Sequence, residues 1–587
     1  MGLAGVLVRE PERAIARAWQ RARSRRLSVA AACFLACLAV YLVAAWWVSS
    51  HGLTYALDGG DAVSRVEAAN RVLFSRDPHL AAIGFVWGPL LEVLLLPLVA
   101  LKPIWPALVT QSLAGDITSA AFTAAACWQL FRLVRELGVG LRLALLLTAA
   151  LALDPLVALH AVDGMSEGWF LFFLISVVRE LNRWLRSGSS TALAACGMYL
   201  GVSYLARYET AAAACGVVAV VVVATVARSK SPFRERLREA SLGTAVVLTP
   251  FVVAFLGWAA ASWVITGTPF QQFASVYGNS KSLAARGITA PSTAGQLLVN
   301  VDQQLHSMIG LEPLLPLIAI AFICVVVRRR DWSALAGPVV LGAVFTFMTY
   351  AIVTREIIPL LRYLIVEIPL TLILLATVLA PSRDRATLAA AVPAESGGPG
   401  HRRRRARLRR GKVWSRVGRG ALVTGAVAAV ALSMGFGLET VENPVSDRQV
   451  APVVQALVNG TALPASAHPL VVDQEVVAYL DARHLPPGSV LMDDFIGYPI
   501  EMLSANPRQF VITSDSDFQQ VLADPATFHV RYVLIPPPRG LGLLDAVNRD
   551  YPGAYATGKG IGKLVKTFTD PSGYATDWRL YRVTASG

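Results

Sequence analysis

Charged residues are scarce in this chain of 587 residues: Asp, Glu, Lys and Arg make up only 16% of it, while hydrophobic residues make up 55%. An ordinary soluble domain has about a quarter of its residues charged, so this composition excludes a soluble protein. The apolar residues fall into blocks of about 20, the length that crosses a hydrocarbon core of about 30 Å as an α-helix. The sequence therefore predicts an all-α polytopic membrane protein.

Cysteine is also scarce, and the polar region after residue 440 contains none. This excludes a disulfide framework or a recognisable zinc site there. The chain lacks a P-loop and a dinucleotide-binding fingerprint in a suitable context, which excludes nucleotide-driven chemistry. The net charge of +14 comes from Lys and Arg between apolar blocks, where membrane insertion explains them without any nucleic acid. The six cysteines, all within apolar blocks, are Cys33, Cys37, Cys127, Cys196, Cys215 and Cys324.

The positions of the basic residues predict how the chain crosses the membrane. A basic N-terminus, residues 1–26, precedes the first span and is expected in the cytoplasm. Residues 84–106 are apolar but interrupted by prolines. We interpret them as a juxtamembrane helix within the first outer loop, 50–106, because every later basic loop then lies on the cytoplasmic side. About eleven transmembrane helices and an extracytoplasmic C-terminus follow. The predicted spans are 27–48, 107–131, 142–162, 166–182, 191–208, 210–227, 241–264, 307–327, 334–353, 358–380 and 420–438.

Composition also divides the chain into domains. The transmembrane domain, 27–439, contains a basic inner loop at 382–416 that is rich in Pro, Gly and Arg and is predicted to be disordered. Its basic run favours a topogenic stop, with anionic membrane lipids as the alternative partner. Residues 440–587 are predicted to form an extracytoplasmic α/β domain. Its strands are expected at SVLMDD, QFVITS and VRYVLIPPP, and its helices, opened by Asp or Ser caps, at DQEVVAYLDARH and SDFQQVLADP.

Two aspartates separated by two glycines form the strongest candidate site, shortly after the first span. The glycines in Asp58-Gly-Gly-Asp61 permit a tight turn, so that both carboxylates can point into one cavity. A helix predicted to begin at or just after Asp61 places Arg65 one turn further on. The alternative is that Asp61 merely caps a surface helix.

Other candidate residues lie in the predicted outer loops. Charges near a membrane are costly unless they serve a path or a site. Asp163 lies in the second outer loop, and Glu167, four residues later, is interpreted as an interfacial charge at a helix start. Trp87 in the first outer loop is an interfacial anchor or a platform for a sugar ring or prenyl chain.

Arginines mark the outer ends of two later spans. The fifth span ends at Arg207 and Glu209, for which an internal ion pair is the alternative interpretation. The tenth span opens with Arg355, Arg362 and Tyr363. Arg355 fits a lipid-facing position, whereas Arg362 lies deeper in the span. The planar guanidinium can hold a phosphate by a two-pronged contact that lysine cannot make.

This arrangement resembles the GT-C superfamily of membrane glycosyltransferases, in particular bacterial proteins similar to the protein O-mannosyltransferases (glycosyltransferase family 39) and the lipid-A aminoarabinose transferases. In those families an acid in the first outer loop is the catalytic base; Asp61 in GDAVSR matches it, with Asp58 as its neighbour. Pro-rich juxtamembrane helices of that loop resemble FVWGPLLEVLLLPL here. The chain departs from the commoner Asp-Glu pattern because Ala62 follows Asp61. The resemblance further matches Asp163, Arg207 with Glu209, and Arg362 with Tyr363.

The resemblance implies a glycosyltransferase, moving a hexose or pentose from a polyprenyl-phosphate donor to a hydroxyl of an envelope glycan, lipid or protein. Asp61 is then the base, and Arg362 with Arg207 stabilises the leaving phosphate. No cofactor is required, and a divalent cation stays an open alternative. A transporter or flippase, for which mid-span Asp116 is the clearest residue, and a non-catalytic scaffold for envelope assembly are the competing functions. The Ala-, Val- and Arg-rich composition indicates a bacterium with a GC-rich genome.

Overall fold

The computed structural model describes the backbone of residues 9–58, 60–381, 420, 423–445, 448 and 450–584, and the side chains of these residues from Ser28 onward, except that of Asp58. The predicted inner loop at 382–416, the side chains of the basic N-terminus and the Asp58 carboxylate therefore lie outside the described residues.

The region before residue 442 is helical. Three short 3-10 segments interrupt it at Leu80–Ile83, Trp332–Leu335 and Leu361–Leu364. The α-helices are α1 (Arg9–Ser50), α2 (Thr54–Asp58), α3 (Asp61–Phe74), α4 (Leu90–Val99), α5 (Ala107–Thr110), α6 (Leu113–Glu136), α7 (Leu141–Leu153), α8 (Pro155–His160), α9 (Glu167–Ser187), α10 (Ser190–Ala206), α11 (Thr210–Arg228), α12 (Phe233–Thr266), α13 (Gln271–Ala274), α14 (Asn279–Ala285), α15 (Ala294–Leu311), α16 (Leu315–Arg329), α17 (Ala336–Val353), α18 (Glu367–Leu379) and α19 (Val423–Val441).

Every predicted span overlaps one of these helices, and the prediction of a multi-pass helical membrane protein is confirmed. Among the described residues, seven helices are long and apolar enough to cross a membrane, or eight if a bent pair counts as one span, so the count of eleven is not confirmed. The span predicted at 307–327 is not one straight helix. The chain bends there by 73° between α15 and α16, where Pro313 and Pro316 lack the backbone N–H that a continuous helix needs.

Helix α4 lies in the predicted first loop, 50–106, and the predicted topology depends on whether it spans the membrane. Helix α4 has ten residues and contains Pro97. At 1.5 Å per residue it is about 15 Å long, half of the hydrocarbon thickness, so it is too short to span. Its Leu91, Leu95 and Val99 are buried inside the protein. Helix α4 thus packs beside α3, the helix that begins at Asp61.

The C-terminal region is a small α/β domain, as predicted. Its helices are α20 (Ala451–Asn459), α21 (Val471–Asp481), α22 (Asp494–Leu503), α23 (Phe518–Ala523), α24 (Ala546–Asp550) and α25 (Ala554–Thr557). Short 3-10 turns lie at Ala465–Ala467, Pro507–Gln509 and Gly540–Leu543. The strands are β1 (Val490–Leu491), β2 (Phe510–Val511), β3 (Tyr532–Ile535), β4 (Gly562–Phe568) and β5 (Trp578–Val583).

One five-stranded sheet, in the order β2-β1-β3-β5-β4, organises this domain. Strand β1 runs parallel to β2 and β3, with Val490 opposite Phe510 and Tyr532, whereas β5 pairs antiparallel with β3 and β4. The three parallel strands are the predicted ones. Strands β4 and β5 were not predicted, because exposed and charged residues interrupt their apolar pattern. Of the predicted caps, Asp517 is the N-cap residue of α23 but makes no cap hydrogen bond, and α21 begins at Val471, before the predicted Asp473.

The C-terminal domain lies directly against helices of the segment that follows α1. Helix α22 contacts α3 and α5. Met502 is buried with Val63 and Val66 in one apolar cluster, which Tyr498 and Tyr55 flank. This contact places α22 beside the helix that carries Asp61.

Candidate active site

Helix α3 begins at Asp61 because the residue before it is glycine. Gly60 has a φ of +98°, in the left-handed region that a glycine adopts without strain. The carbonyl oxygen of Gly60 accepts the first helical hydrogen bond from the Ser64 amide at 2.9 Å, and the Ser64 hydroxyl donates to the Asp61 carbonyl at 2.8 Å. The predicted helix start is therefore confirmed.

Asp61 and Arg362 form an ion pair although 301 residues separate them in the sequence. The Nη2 of Arg362 donates to Oδ2 of Asp61. Arg362 lies in the 3-10 segment before α18, and its Nη1 is 3.7 Å from the sulfur of Met165. The Arg362 side chain is 10% exposed and that of Asp61 31% exposed, so the carboxylate is the more accessible partner.

Glu167 links this pair to a second arginine. Its Oε1 accepts from Nη1 of Arg207 at 2.6 Å and lies 3.8 Å from Nε of Arg362. Arg207 also donates to Glu209 at 2.7 Å, so the predicted ion pair between these two residues is present. Glu167 is fully buried at the start of α9. It does lie at a helix start, as interpreted, but it is buried between two guanidinium groups instead of standing alone at the interface.

Tyr363 lies beside both arginines of this cluster. The guanidinium carbons of Arg207 and Arg362 are 5.6 Å and 5.4 Å from the centre of its ring. A cation within about 6 Å of an aromatic ring is attracted by the ring's quadrupole. The structure thus brings together Asp61, Arg207, Glu209, Arg362 and Tyr363, and adds Glu167.

Asp163 lies in the loop that leads into α9, but its contacts differ from those of the arginine cluster. It is buried, and it accepts hydrogen bonds from His160 Nδ1 at 2.6 Å and from the Met165 amide at 3.0 Å. These bonds fix the loop before Glu167. A substrate-binding role for Asp163 stays a prediction.

Arg65 faces a different group of residues, one turn beyond Asp61. Its guanidinium carbon lies 4.1 Å from the centre of the Trp87 ring, and its Nη1 is 3.7 Å from Glu92. Arg65 is buried, and neither its Nε nor its Nη1 has a hydrogen-bond partner among the described residues. Arg65 and Trp87 therefore form a cation–aromatic pair one helical turn beyond Asp61.

Two arginines of the segment that follows α1 bind the C-terminal domain by ion pairs. Arg71 of α3 pairs with Asp494 at the start of α22. Arg76, just beyond α3, donates to Asp515 at 2.9 Å and also pairs with Asp517. Sequence reasoning missed these residues because nothing in the local pattern connects positions more than 400 residues apart.

Two carboxyl groups face each other inside this contact. Burial raises the pKa of Glu67 to about 7, while Lys102 and Arg71 act in the opposite direction. Burial and the neighbouring Glu67 raise the pKa of Glu501 well above its ordinary value. A raised pKa keeps a carboxyl group protonated, so the two acids can share the interface without full charge repulsion.

Two other interpretations from the sequence can be compared with the structure. Asp116, the residue that a transporter would use, is buried and accepts a hydrogen bond from Thr54 at 2.9 Å. Its environment is that of a structural residue. Among the described residues, no group of three or more His, Cys, Asp or Glu side chains is arranged to hold a metal ion.

Comparison with known proteins identifies the fold. No protein-family model matches the sequence, and no curated protein matches it. The structure is similar to that of ArnT from Cupriavidus metallidurans bound to undecaprenyl phosphate, with a TM-score of 0.51 and 15% identity, covering 92% of this chain and 98% of that one. The oligosaccharyltransferase of Archaeoglobus fulgidus is more distant, with a TM-score of 0.42 and 13% identity over 86% of this chain and 69% of that one. The chain is thus a multi-pass membrane protein whose fold is similar to that of ArnT.

Proposed function

We propose that this protein is a membrane glycosyltransferase that moves a sugar from a polyprenyl-phosphate donor to a hydroxyl of a cell-envelope acceptor. The observation that carries the proposal is the contact between Asp61 and Arg362, a base and a phosphate ligand in one cluster. The similar fold of ArnT, whose structure contains undecaprenyl phosphate, supports the class of donor. A lipid-linked donor also suits a site that lies where helices meet a polar domain.

Asp61 is the proposed general base. Its carboxylate takes the proton of the acceptor hydroxyl while the acceptor oxygen attacks the anomeric carbon of the sugar. The bond from that carbon to the phosphate oxygen breaks, and its electron pair leaves with the polyprenyl phosphate. A single displacement of this kind inverts the anomeric configuration. The other carboxylate within reach of Arg362, Glu167, is buried, which leaves Asp61 as the accessible acid.

Arg362 and Arg207 are the proposed ligands of the leaving phosphate. Preorganised cations at the point where negative charge develops stabilise a transition state. Tyr363 and Glu167 hold the two guanidinium groups side by side before any donor binds. When the donor phosphate takes Arg362, the Asp61 carboxylate loses its partner and becomes free to accept a proton. Trp87, which stacks on Arg65 and is partly exposed, is the proposed contact for the sugar ring or the prenyl chain.

The orientation of the chain is testable with reporter fusions. Arg186 is the last residue but one of α9, and Lys230 lies between α11 and α12, so neither fusion removes more than one residue from a helix. We expect reporters after Arg186 and after Lys230 to be cytoplasmic, because their loops are basic, and a reporter after Gly587 to be extracytoplasmic. A cytoplasmic C-terminal reporter would overturn the outer location of the site.

Substitution of Arg362 by lysine separates charge from geometry. Lysine keeps the positive charge but cannot grip a phosphate with two parallel N–H groups. We expect Arg362→Lys to raise the KM for the lipid-linked donor by about tenfold, the value of one hydrogen bond to a charged group. Arg355→Lys is the matched control, since the Arg355 guanidinium donates hydrogen bonds to Asn300 and Gln303 instead of to the residues around Asp61. An equal effect in both variants would contradict the phosphate role.

The sugar and the acceptor are identified by a second experiment. Mass analysis compares envelope glycans and glycoproteins of a deletion strain with those of the wild type. The missing sugar then defines the donor, and purified protein in lipid vesicles is assayed for its transfer from polyprenyl phosphate. Absence of transfer with the donor and acceptor so defined would refute the proposed function.

A further inference from the structure

A tyrosine of the C-terminal domain reaches the turn that carries Asp61. The Tyr498 hydroxyl, on α22, donates a hydrogen bond to the carbonyl oxygen of Gly60 at 3.1 Å, across 438 residues of sequence. The same oxygen accepts the first helical hydrogen bond of α3, from the Ser64 amide. The Tyr498 ring lies nearly parallel to that of Tyr55, with ring centres 6.3 Å apart. This contact therefore acts on the peptide that joins Gly60 to Asp61.

The turn leaves no room for a side chain at position 60. A Cβ on Gly60 would collide with the Tyr498 hydroxyl and would lie 3.1 Å from the Tyr55 ring. The φ of +98° also disfavours any residue other than glycine. The two tyrosines thus close around the backbone immediately before Asp61, and the fit is specific to the hydroxyl of Tyr498.

Further contacts hold α22 against α3 on both sides of this tyrosine. Met502 packs into the apolar cluster that contains Val63 and Val66 of α3. Asp494, one turn before Tyr498, pairs with Arg71 near the other end of α3. The helix of the C-terminal domain is therefore fixed relative to α3 by apolar and ionic contacts, and Tyr498 is held in place to act on the Asp61 turn.

We propose that Tyr498 is a positioning residue for Asp61, so that the C-terminal domain sets the geometry of the catalytic turn. The inference rests on the proposed function, in which Asp61 is the base. A base acts only within hydrogen-bond reach of the proton that it takes, and a misplacement of about 1 Å can cost about a hundredfold in rate. The Gly60 carbonyl belongs to the peptide group that joins Gly60 to Asp61, so its orientation sets the direction in which the Asp61 side chain leaves the backbone. By donating to this carbonyl, Tyr498 limits rotation of that peptide group.

The test is Tyr498→Phe in the full-length protein. Phenylalanine keeps the ring that packs beside Tyr55 and removes only the hydroxyl. We expect kcat for sugar transfer to fall by about 3- to 10-fold, as for loss of one neutral hydrogen bond, while the KM for the donor is unchanged. Tyr551→Phe is the matched control: the Tyr551 hydroxyl donates to the Leu522 carbonyl at 2.6 Å, wholly within the C-terminal domain. We expect no change in kcat for this control.

Amide hydrogen exchange gives a readout that does not depend on the reaction. We expect faster exchange at the Ser64 amide and in the first turn of α3 in Tyr498→Phe, but not in Tyr551→Phe. Unchanged exchange in Tyr498→Phe would overturn the inference, and so would faster exchange with an unchanged kcat. If the wild-type protein transfers no sugar, the proposed function fails, and with it the catalytic role of Tyr498. Faster amide exchange in Tyr498→Phe would even then show that Tyr498 holds the turn before Asp61.

Discussion

Replacement of Asp61 by asparagine is expected to lower the rate of sugar transfer by about 10²- to 10⁴-fold, the usual cost of removing a general base. Asparagine has nearly the same shape as aspartate and keeps a hydrogen-bonding oxygen, but it cannot take a proton. Arg362 retains Glu167 as a charged neighbour in this variant. We therefore expect the thermal midpoint of the purified protein to change little while the turnover falls.

Variants of two other aspartates in the predicted first loop, 50–106, should be measured beside Asp61→Asn. Asp58→Asn is expected to show a smaller loss, because Asp58 is predicted to orient the acceptor or to bind an ion and not to take the proton. Asp77→Asn is the control for an aspartate of the domain contact, since Asp77 accepts from the Ser516 amide of the C-terminal domain at 2.9 Å and has no bond to Arg207 or Arg362 among the described residues. Near-wild-type turnover in Asp61→Asn would remove the proposed base. A larger defect in Asp58→Asn would reverse the roles of the two acids.

Much of the arginine cluster could be predicted because the outer ends of membrane helices meet at one surface. Once a topology is chosen, charged residues at those ends share a plane, however far apart they are in the sequence. Asp61, Arg207 and Arg362 follow this rule, and the structure places them in one cluster. Their exact pairing could not be predicted, because hydropathy defines the depth of a residue but not which helices are neighbours.

Glu167 shows where this reasoning stops. An acid in the first turn of a helix is stabilised by the helix dipole, so the sequence gives no reason to expect an arginine beside it. Its true environment depends on the end of α10 and on the segment before α18, which supply Arg207 and Arg362. The bend after α15 is a different case. Pro313 is a visible breaking signal there, and the hydrophobic pattern outweighed it in the prediction.

The C-terminal domain was predicted as an α/β unit, but its contact with the membrane part was not. Its parallel strands have apolar runs that local propensity recognises, whereas Tyr498 and Arg71 are ordinary residues of amphipathic helices. Their roles arise only when α22 and α3 pack together. Long-range contacts of this kind have no signature in a single sequence.

Loss of Glu167 is expected to have the largest effect on stability. Glu167→Ala leaves the buried Arg207 and Arg362 without the acid between them, and removal of one partner from a buried ion pair costs about 3 kcal/mol. We expect a clear fall in the thermal midpoint. We also expect the folded protein to lose at least tenfold in kcat/KM, because the two guanidinium groups no longer keep the spacing that grips a phosphate. Glu167→Gln, which keeps the shape and one acceptor oxygen, should lose less in both measurements.

The same helix offers a matched control for this prediction. Glu180, near the other end of α9, is a buried carboxylate that accepts from Arg179 at 2.8 Å and from Arg183 at 2.8 Å. Glu180→Ala should therefore lower the thermal midpoint in a similar way, since it also leaves a buried arginine with one acid fewer. Its kcat/KM per folded molecule should stay close to the wild-type value, because Arg179 and Arg183 lie near the end of α9, whereas the arginine cluster lies at its start. Equal losses of kcat/KM in Glu167→Ala and Glu180→Ala would show that Glu167 supports only the fold and that the arginine cluster is not the phosphate site.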